Sequence, residues 1–256
     1  MPDLPRYVVL GRGRWAGVVH KALEGERRSA AAFTGTRRLD SESDSAYAAR
    51  LKNSLAASRA GIAWLCVPPG PHVSLMILAA LDAGLDVIAE SPWLCSPEIS
   101  HGLAAAAAAN RRLVGVHFEY CLLDEVESWR RDYHSSPGLV FGGRFVLSRP
   151  NRRSIPPLSD LGPHLAAVRE YAVPAAALGE LDCRYAAPGA DSRQVWLDRA
   201  ASRLASIDFT SNRQPIVQRF FQNFEAARSS RDFPFDLAFA DRVSARVSAL
   251  AAAQKT

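Results

Sequence analysis

Residues 62–93 (IAWLCVPPGPHVSLMILAALDAGLDVIAESPW) leave this chain little choice of architecture. Ile62–Val67 is a short apolar run of the kind that fills a buried parallel strand. Pro68 and Pro69 end it, because neither can donate to a strand ladder. From His72 to Ala83 the apolar residues Val73, Met76, Ile77, Ala80 and Leu81 recur at helical spacing, and Gly84 stands where a left-handed cap stops a helix. Val87–Ala89 is the next strand, and the chain leaves it through Glu90-Ser91-Pro92. Ligands of open parallel sheets bind beyond the carboxyl ends of the strands. Pro68-Pro69 and Glu90-Ser91-Pro92 are therefore expected to line one crevice.

The amino-terminal residues suit such a sheet. Arg6–Leu10 reads as a strand and Val18–Leu23 as a helix, with Gly11-Arg12-Gly13-Arg14-Trp15-Ala16-Gly17 between them. A glycine-rich turn from first strand to first helix brings backbone N–H groups close to a pyrophosphate at the helix N-terminus. Gly11, Gly13 and Ala16 match G-x-G-x-x-G/A, with Gly17 an alternative third position. Such patterns also occur in ordinary tight turns; the position after the first strand is what favours a nucleotide. Ser29–Thr34 reads as the second strand, where an NAD-binding fold places an acidic residue for the ribose. This chain has Gly35-Thr36-Arg37-Arg38 instead, with Asp40 later. A hydroxyl and two guanidinium groups suit a 2′-phosphate, so NADP is favoured over NAD. The competing reading makes Arg37 and Arg38 solvated loop residues.

Downstream, Asp40–Arg59 is a polar helical region. Ser96–Asn110 is a helix of small residues with serine as cap and Pro97 in its first turn. Leu113–Val116 is a strand followed by His117-Phe118-Glu119-Tyr120, and Leu122–Tyr133 is a helix. Ser135-Ser136-Pro137-Gly138 is a turn-forming cluster and a candidate domain boundary. Beyond it come a long strand, Leu139–Ser148, a basic loop, Arg149–Pro157, and a helix entered through Leu158–Leu165 and running to Tyr171. Residues 180–187, 194–200 and 203–210 alternate as antiparallel strands do, with Asp191-Ser192 a turn between the first two. Pro215–Ala227 is a helix with an apolar stripe of Ile216, Phe220, Phe221 and Phe224, and Asp236–Ala252 is a final helix.

Together these motifs resemble the glucose–fructose oxidoreductase/inositol dehydrogenase (Gfo/Idh/MocA) family over nearly the whole chain. The family's Thr-Pro-Pro strand end, helix-opening His, Ala-Leu-x-Ala-Gly and Glu-Lys-Pro have counterparts in Val67-Pro68-Pro69, His72, Ala80–Gly84 and Glu90-Ser91-Pro92. Trp15 and His20 resemble its Gly-x-Gly-x-Trp-Gly turn and following His, although Trp15 equally suits plain core packing. Asp160, Gly162 and His164 match its Asp-x-Gly-x-His-x-x-Asp segment, whose last Asp falls here on Ala167 or Val168. The resemblance implies an α/β fold. Residues 1–134 would form a Rossmann dinucleotide-binding domain. Residues 135–256 would form a smaller α+β domain on a mainly antiparallel sheet, with the C-terminal helices packing back on the first domain. It implies cofactor contacts from Gly11, Gly13, Arg14, Trp15, Ala16, Thr36, Arg37, Arg38, Val67, Pro68, Pro69, His72, Glu90, Ser91 and Pro92. His164 becomes the leading proton carrier, since an imidazole near its free pKa can give or take a proton at neutral pH, with Asp160 its orienter. The bland alternative makes Asp160 a helix cap and His164 a surface residue. Tyr120 and His117 are placed near the cleft, Tyr120 as reserve acid, though a lone His or Tyr is more often a packing residue.

Ser91 stands where the family has its active-site lysine, and serine has neither the charge nor the reach. The three lysines, Lys21, Lys52 and Lys255, are remote in sequence. Ordinary sugar dehydrogenation is therefore disfavoured. The readings left are reduction of a C=N bond, as in the family's thiazolinyl imine reductases, an unusual alcohol or ketone, or a nucleotide-binding or scaffold subunit without catalysis. A bulky or carrier-bound small molecule is the expected substrate, and a homodimer through the C-terminal sheet the expected assembly. The net charge of +5 comes from arginines spread along the chain without a basic-aromatic cluster, which argues against nucleic acid. The four cysteines are isolated, as in a reduced cytoplasmic protein, and no metal ligand set is expected. No signal peptide opens the sequence and no apolar run approaches the ~18 residues of a membrane span.

Overall fold

The computed structural model describes residues 4–33, 36–148, 155–187, 189–211 and 215–253. Thr34 and Gly35 of the second-strand exit, Arg149–Ser154 of the basic loop, and Lys255 lie outside these residues. In chain order the elements are β1 (Tyr7–Leu10), α1 (Arg14–Gly25), β2 (Ala30–Phe33), α2 (Asp44–Ala57), β3 (Ile62–Leu65) and α3 (His72–Asp82). Then come β4 (Asp86–Glu90), α4 (Pro97–Ala109), β5 (Val114–His117), α5 (Asp124–Tyr133), β6 (Leu139–Leu147) and α6 (Pro157–Ala172). The last are β7 (Ala177–Tyr185), β8 (Ser192–Arg199), β9 (Ser202–Asp208), α7 (Ile216–Ser230) and α8 (Leu237–Ala253). Two compact units result: the residues up to His117 with Val217–Asp241, and Phe118–Ile216 with the residues from Arg242 onward.

The first unit carries a five-stranded parallel sheet in the order β2-β1-β3-β4-β5. Strands β1, β3 and β5 are buried along their whole length, as expected where helices cover both faces of a parallel sheet. The helix starts follow from their caps. Ser43 Oγ accepts the Ala46 N–H at the head of α2, and Ser96 Oγ accepts the Ile99 N–H at the head of α4, with Pro97 in the first turn. Helix α3 ends at a left-handed Gly84. Four other helices leave through a left-handed arginine instead: Arg27 after α1, Arg59 after α2, Arg111 after α4 and Arg231 after α7, with φ of 59°, 53°, 53° and 62°.

Strand β5 is an edge, and the C-terminal segment of the unit covers it. The Val116 N–H donates to the Phe235 carbonyl at 2.8 Å. A Cβ on Gly115 would lie 2.6 Å from the Phe233 ring, so glycine is what lets that ring reach the strand. Of the expected stripe of α7, Phe220, Phe221 and Phe224 are buried and Ile216, at the helix start, is half-buried; Phe220 and Phe224 meet Phe233 edge to face. At the amino end of the sheet the fully buried Asp86 accepts from the Leu113 N–H (2.7 Å), Arg228 Nε (2.6 Å) and Arg231 Nη1 (3.0 Å). A buried carboxylate requires such partners.

The second unit holds a four-stranded sheet, order β7-β6-β8-β9. Strands β6–β8 and β8–β9 pair antiparallel, but β7 pairs parallel with β6. The three later strands alternate in direction as expected, since β7 runs with β6 while β8 opposes both, but β6 lies between β7 and β8, so Asp191-Ser192 does not close a two-strand hairpin. The 16-residue helix α6 carries the chain back across the sheet before β7 begins, and such a crossover makes the strands parallel. Strands β7 and β8 flank β6, and Asp191 closes the end of that strand by accepting from the Ser148 N–H and hydroxyl at 2.9 and 2.7 Å. Among the described residues no helix is long and apolar enough to cross a membrane.

Candidate functional site

In the first unit the chain goes from β1 out to β2, then returns to the other side of β1 as β3. That reversal opens a crevice beyond the carboxyl ends of β1 and β3. The turn after β1 is fixed by Gly11, whose φ is +132° and whose added Cβ would stand 2.2 Å from the Cys66 carbonyl oxygen. Gly13 is the N-cap of α1. No side chain caps the helix there, no acidic residue occupies its first turn, and a Cβ on Gly13 or Gly17 would meet nothing within 4 Å. The start of α1 is therefore uncapped and open beside Gly13, flanked by exposed Arg12 and Arg14, an arrangement that accepts an anion. Ala16 is buried while Gly17 faces out, so Ala16 is the packing position of the motif.

The loop after β2 is braced on α2. The Tyr47 hydroxyl donates to the Thr36 carbonyl (2.7 Å), Arg50 to the Arg37 carbonyl (3.0 Å) and, through two nitrogens, to the Glu42 carboxylate at 2.8 and 2.9 Å. Hydrogen bonding from Arg50 holds the Glu42 carboxyl down at about 2. The Arg38 guanidinium is already engaged by the Glu42 carbonyl and Asp44, whereas the exposed Arg37 side chain has no partner among the described residues.

At the carboxyl ends of β3 and β4, Leu65, Val67, Pro69, Glu90, Pro92 and Trp93 share the wall of one shallow pocket. Pro68 is exposed, and the half-buried His72 opens α3. Glu90 does not reach toward solvent. Its Oε1 accepts Trp64 Nε1 from β3 at 2.6 Å, and its Oε2 shares a hydrogen bond with His117 Nδ1 on β5 at 3.1 Å. Glu90 and His117 are register partners on neighbouring strands, which sets this contact. The His117 ring has no exposed surface. It is stacked with Trp15 (centroids 5.7 Å apart) and edge-on to Trp64 (5.4 Å) and Phe220 (4.4 Å). Ser91 is half-buried. Neither described lysine stands beside it: Lys52 pairs with Asp82, at the far end of α3 and so at the amino end of the sheet, and Lys21 is exposed along α1.

In the second unit Tyr120, His164, Phe145 and Phe209 form an aromatic cluster. Tyr120 is stacked on Phe209 (4.8 Å) and edge-on to Phe145 (5.3 Å) and His164 (5.5 Å), and Phe145 is stacked with His164. Arg193 Nη1 donates to the Tyr120 hydroxyl at 3.0 Å. Burial raises the phenol far above its ordinary pKa, with the Glu119 charge adding and Arg193 opposing, so it stays protonated at neutral pH. His164 is half-buried, and its Nδ1 and the Arg193 Nε are buried without a hydrogen-bond partner among the described residues. Asp160 lies one helical turn before His164, but its carboxylate accepts the Tyr185 hydroxyl at 2.9 Å. The buried Asp160 is thus engaged with β7.

Sequence reasoning missed Trp64, Phe220, Tyr185 and Arg193. A signal existed for Arg193: it shares the inward face of β8 with buried Val195 and Leu197 and stands opposite Phe145. An arginine at an inward position of an alternating strand calls for an explanation.

No protein-family model and no curated protein matches the sequence. Solved structures do. The chain is similar to the WlbA dehydrogenase from Thermus thermophilus in complex with NAD and UDP-GlcNAcA, at 15% identity and TM-score 0.72, covering 97% of this chain and 94% of that one. It is similar to the UDP-N-acetylglucosamine 3-dehydrogenase GnnA from Acidithiobacillus ferrooxidans, at 13% identity and TM-score 0.75, covering 95% of each. It is also similar to myo-inositol 2-dehydrogenase from Lactobacillus plantarum, at 10% identity and TM-score 0.71, covering 98% and 97%. At these identities the likeness is one of fold. The fold is that of the Gfo/Idh/MocA-type dehydrogenases, as the sequence motifs implied.

Proposed function

We propose that the protein is an NAD(P)-dependent oxidoreductase that moves a hydride between a nicotinamide cofactor and a small-molecule C=N or C=O/alcohol substrate. The observation that carries this reading is the turn after β1: Gly11 seated on Cys66 and the uncapped start of α1 beneath open space at Gly13. The residues fit a dinucleotide. The α1 N-terminus would take the pyrophosphate, and Arg37, unengaged on the braced loop, favours a 2′-phosphate and so NADP. When bound, the nicotinamide supplies or accepts the hydride. His164 is our proton carrier, with one ring nitrogen uncommitted, and the protonated Tyr120, oriented by Arg193, is the reserve acid. His117 orients Glu90 and packs Trp15; its burial suits that role better than proton exchange with a substrate.

Ser91 supports a C=N substrate within this reading, since an imine is protonated more easily than a ketone and needs less electrophilic help than a lysine would give. The same residue favours the second reading, a nucleotide-binding or scaffold subunit that has kept the fold. We place the protein in the cytoplasm, as a homodimer through the sheet of the second unit, acting on a bulky or carrier-bound small molecule. The test is a fluorescence titration of the purified protein with NADPH and NADH. We expect NADPH to bind more tightly and Arg37→Ala to weaken it about tenfold, the loss of one charge-assisted phosphate contact. No binding of either at millimolar concentration sinks hydride transfer and leaves the scaffold reading.

A further inference from the structure

A second cavity of the first unit lies at the opposite end of its sheet. It is an open depression of about 580 Å³ where α4 ends and β5 begins, within the size range of small-ligand pockets. Its apolar lining comes from Ala107 and Ala108 of α4, Leu113, and Leu237 at the start of α8. Its polar lining is Arg111, Arg112, Arg231 and Asp236. Two of these four are already committed. Arg231 is paired with buried Asp86, and Asp236 Oδ1 accepts the Phe239 N–H. Arg111 and Arg112 have no ion-pair partner among the described residues.

Cations after the carboxyl end of a helix can simply answer its dipole, and the exposed Arg111 fits that account. Arg112 does not. It is half-buried, and its Nε is shut off from solvent with no hydrogen-bond partner among the described residues. A half-buried guanidinium without an ion-pair partner, beside an apolar wall, suits an anion in the cavity.

We propose that this cavity binds a small amphipathic anion, a carboxylate head held by Arg112 and Arg111 with an apolar body against Ala107, Ala108, Leu113 and Leu237. Leu113 lies at the amino end of β5, whereas the glycine turn and Glu90 lie at the carboxyl ends of the strands. The site is therefore separate from the proposed nucleotide crevice and independent of its assignment.

The experiment is calorimetric titration of the full-length protein with octanoate, octanol and acetate. We expect saturable binding of one octanoate per chain, at least tenfold tighter than octanol, which lacks the charge, or acetate, which lacks the body. Arg112→Gln and Ala108→Trp, the latter filling the cavity from an exposed helix position, should each weaken octanoate at least tenfold while leaving NADPH titration and the melting temperature unchanged. The proposal is overturned by absence of saturable octanoate binding, by octanol binding as tightly, or by octanoate binding unaltered in both variants.

Discussion

Two glycines two residues apart do different work, and substitution separates them. Gly11 holds a backbone angle that L-residues rarely adopt, against a carbonyl that a Cβ would strike. Gly11→Ala should destabilise the protein by about 3 kcal/mol, read from the urea midpoint. Gly13 has an ordinary φ of −73° and nothing near its missing Cβ. Gly13→Ala should cost less than about 1 kcal/mol. It should nevertheless weaken NADPH at least tenfold, because the methyl group enters the space where a phosphate would sit. Equal NADPH affinity in the Gly13 variant and wild type would remove the main support for a nucleotide at this turn. The cysteines point the same way as the chemistry assigned elsewhere. Burial raises the pKa of all four, Cys183 to about 12, so none is a thiolate nucleophile at neutral pH.

Among elements, what could be read from sequence was what local chemistry decides. Strand β3, the double proline, α3 and β4 follow from apolar spacing and two kinds of stop signal, and α4 from its Ser96-Pro97 cap. The neighbour of β7 could not be read. Alternation reports one buried face and does not say which strand lies alongside; the crossover through α6 is what sets β7 parallel beside β6. The Glu90 contacts were hidden for a related reason, since Trp64, Glu90 and His117 sit on three strands and meet only through sheet register. Arg193 was legible by the alternation of β8, but nothing in sequence brings it to Tyr120. Helix α2 offers a direct check on local logic. Ser43→Ala removes the acceptor for the Ala46 N–H and should cost about 1 kcal/mol in urea unfolding. Because α2 braces the Thr36–Arg38 loop, the same variant should also weaken NADPH more than NADH.

At the scale of the whole molecule, both units bury phenols whose pKa is raised. Tyr7 is raised chiefly by burial and then by Glu225, to which its hydroxyl donates at 2.7 Å. Burial likewise raises Tyr120 and Tyr171. In the unfolded chain these groups lose protons near their ordinary value of 10.0, while the folded chain keeps them. The folded state then binds more protons, so stability is full below that value and falls as pH rises through it. The urea midpoint should decline between about pH 9 and 11, and less steeply in Tyr7→Phe. A midpoint that stays level over this interval would contradict the burial of these hydroxyls.

The left-handed arginines have a consequence for protease sensitivity. Arg27, Arg59, Arg111 and Arg231 are exposed, and each follows the end of a helix. Trypsin cleaves after arginine, so these four exits are among the exposed sites open to it, alongside others such as Arg12 and Arg37. Because these four lie where a helix has already ended, cleavage there needs no helix to open, and brief digestion of the native protein should give fragments ending at these exits before fragments ending at the exposed arginines inside helices, such as Arg131 and Arg242.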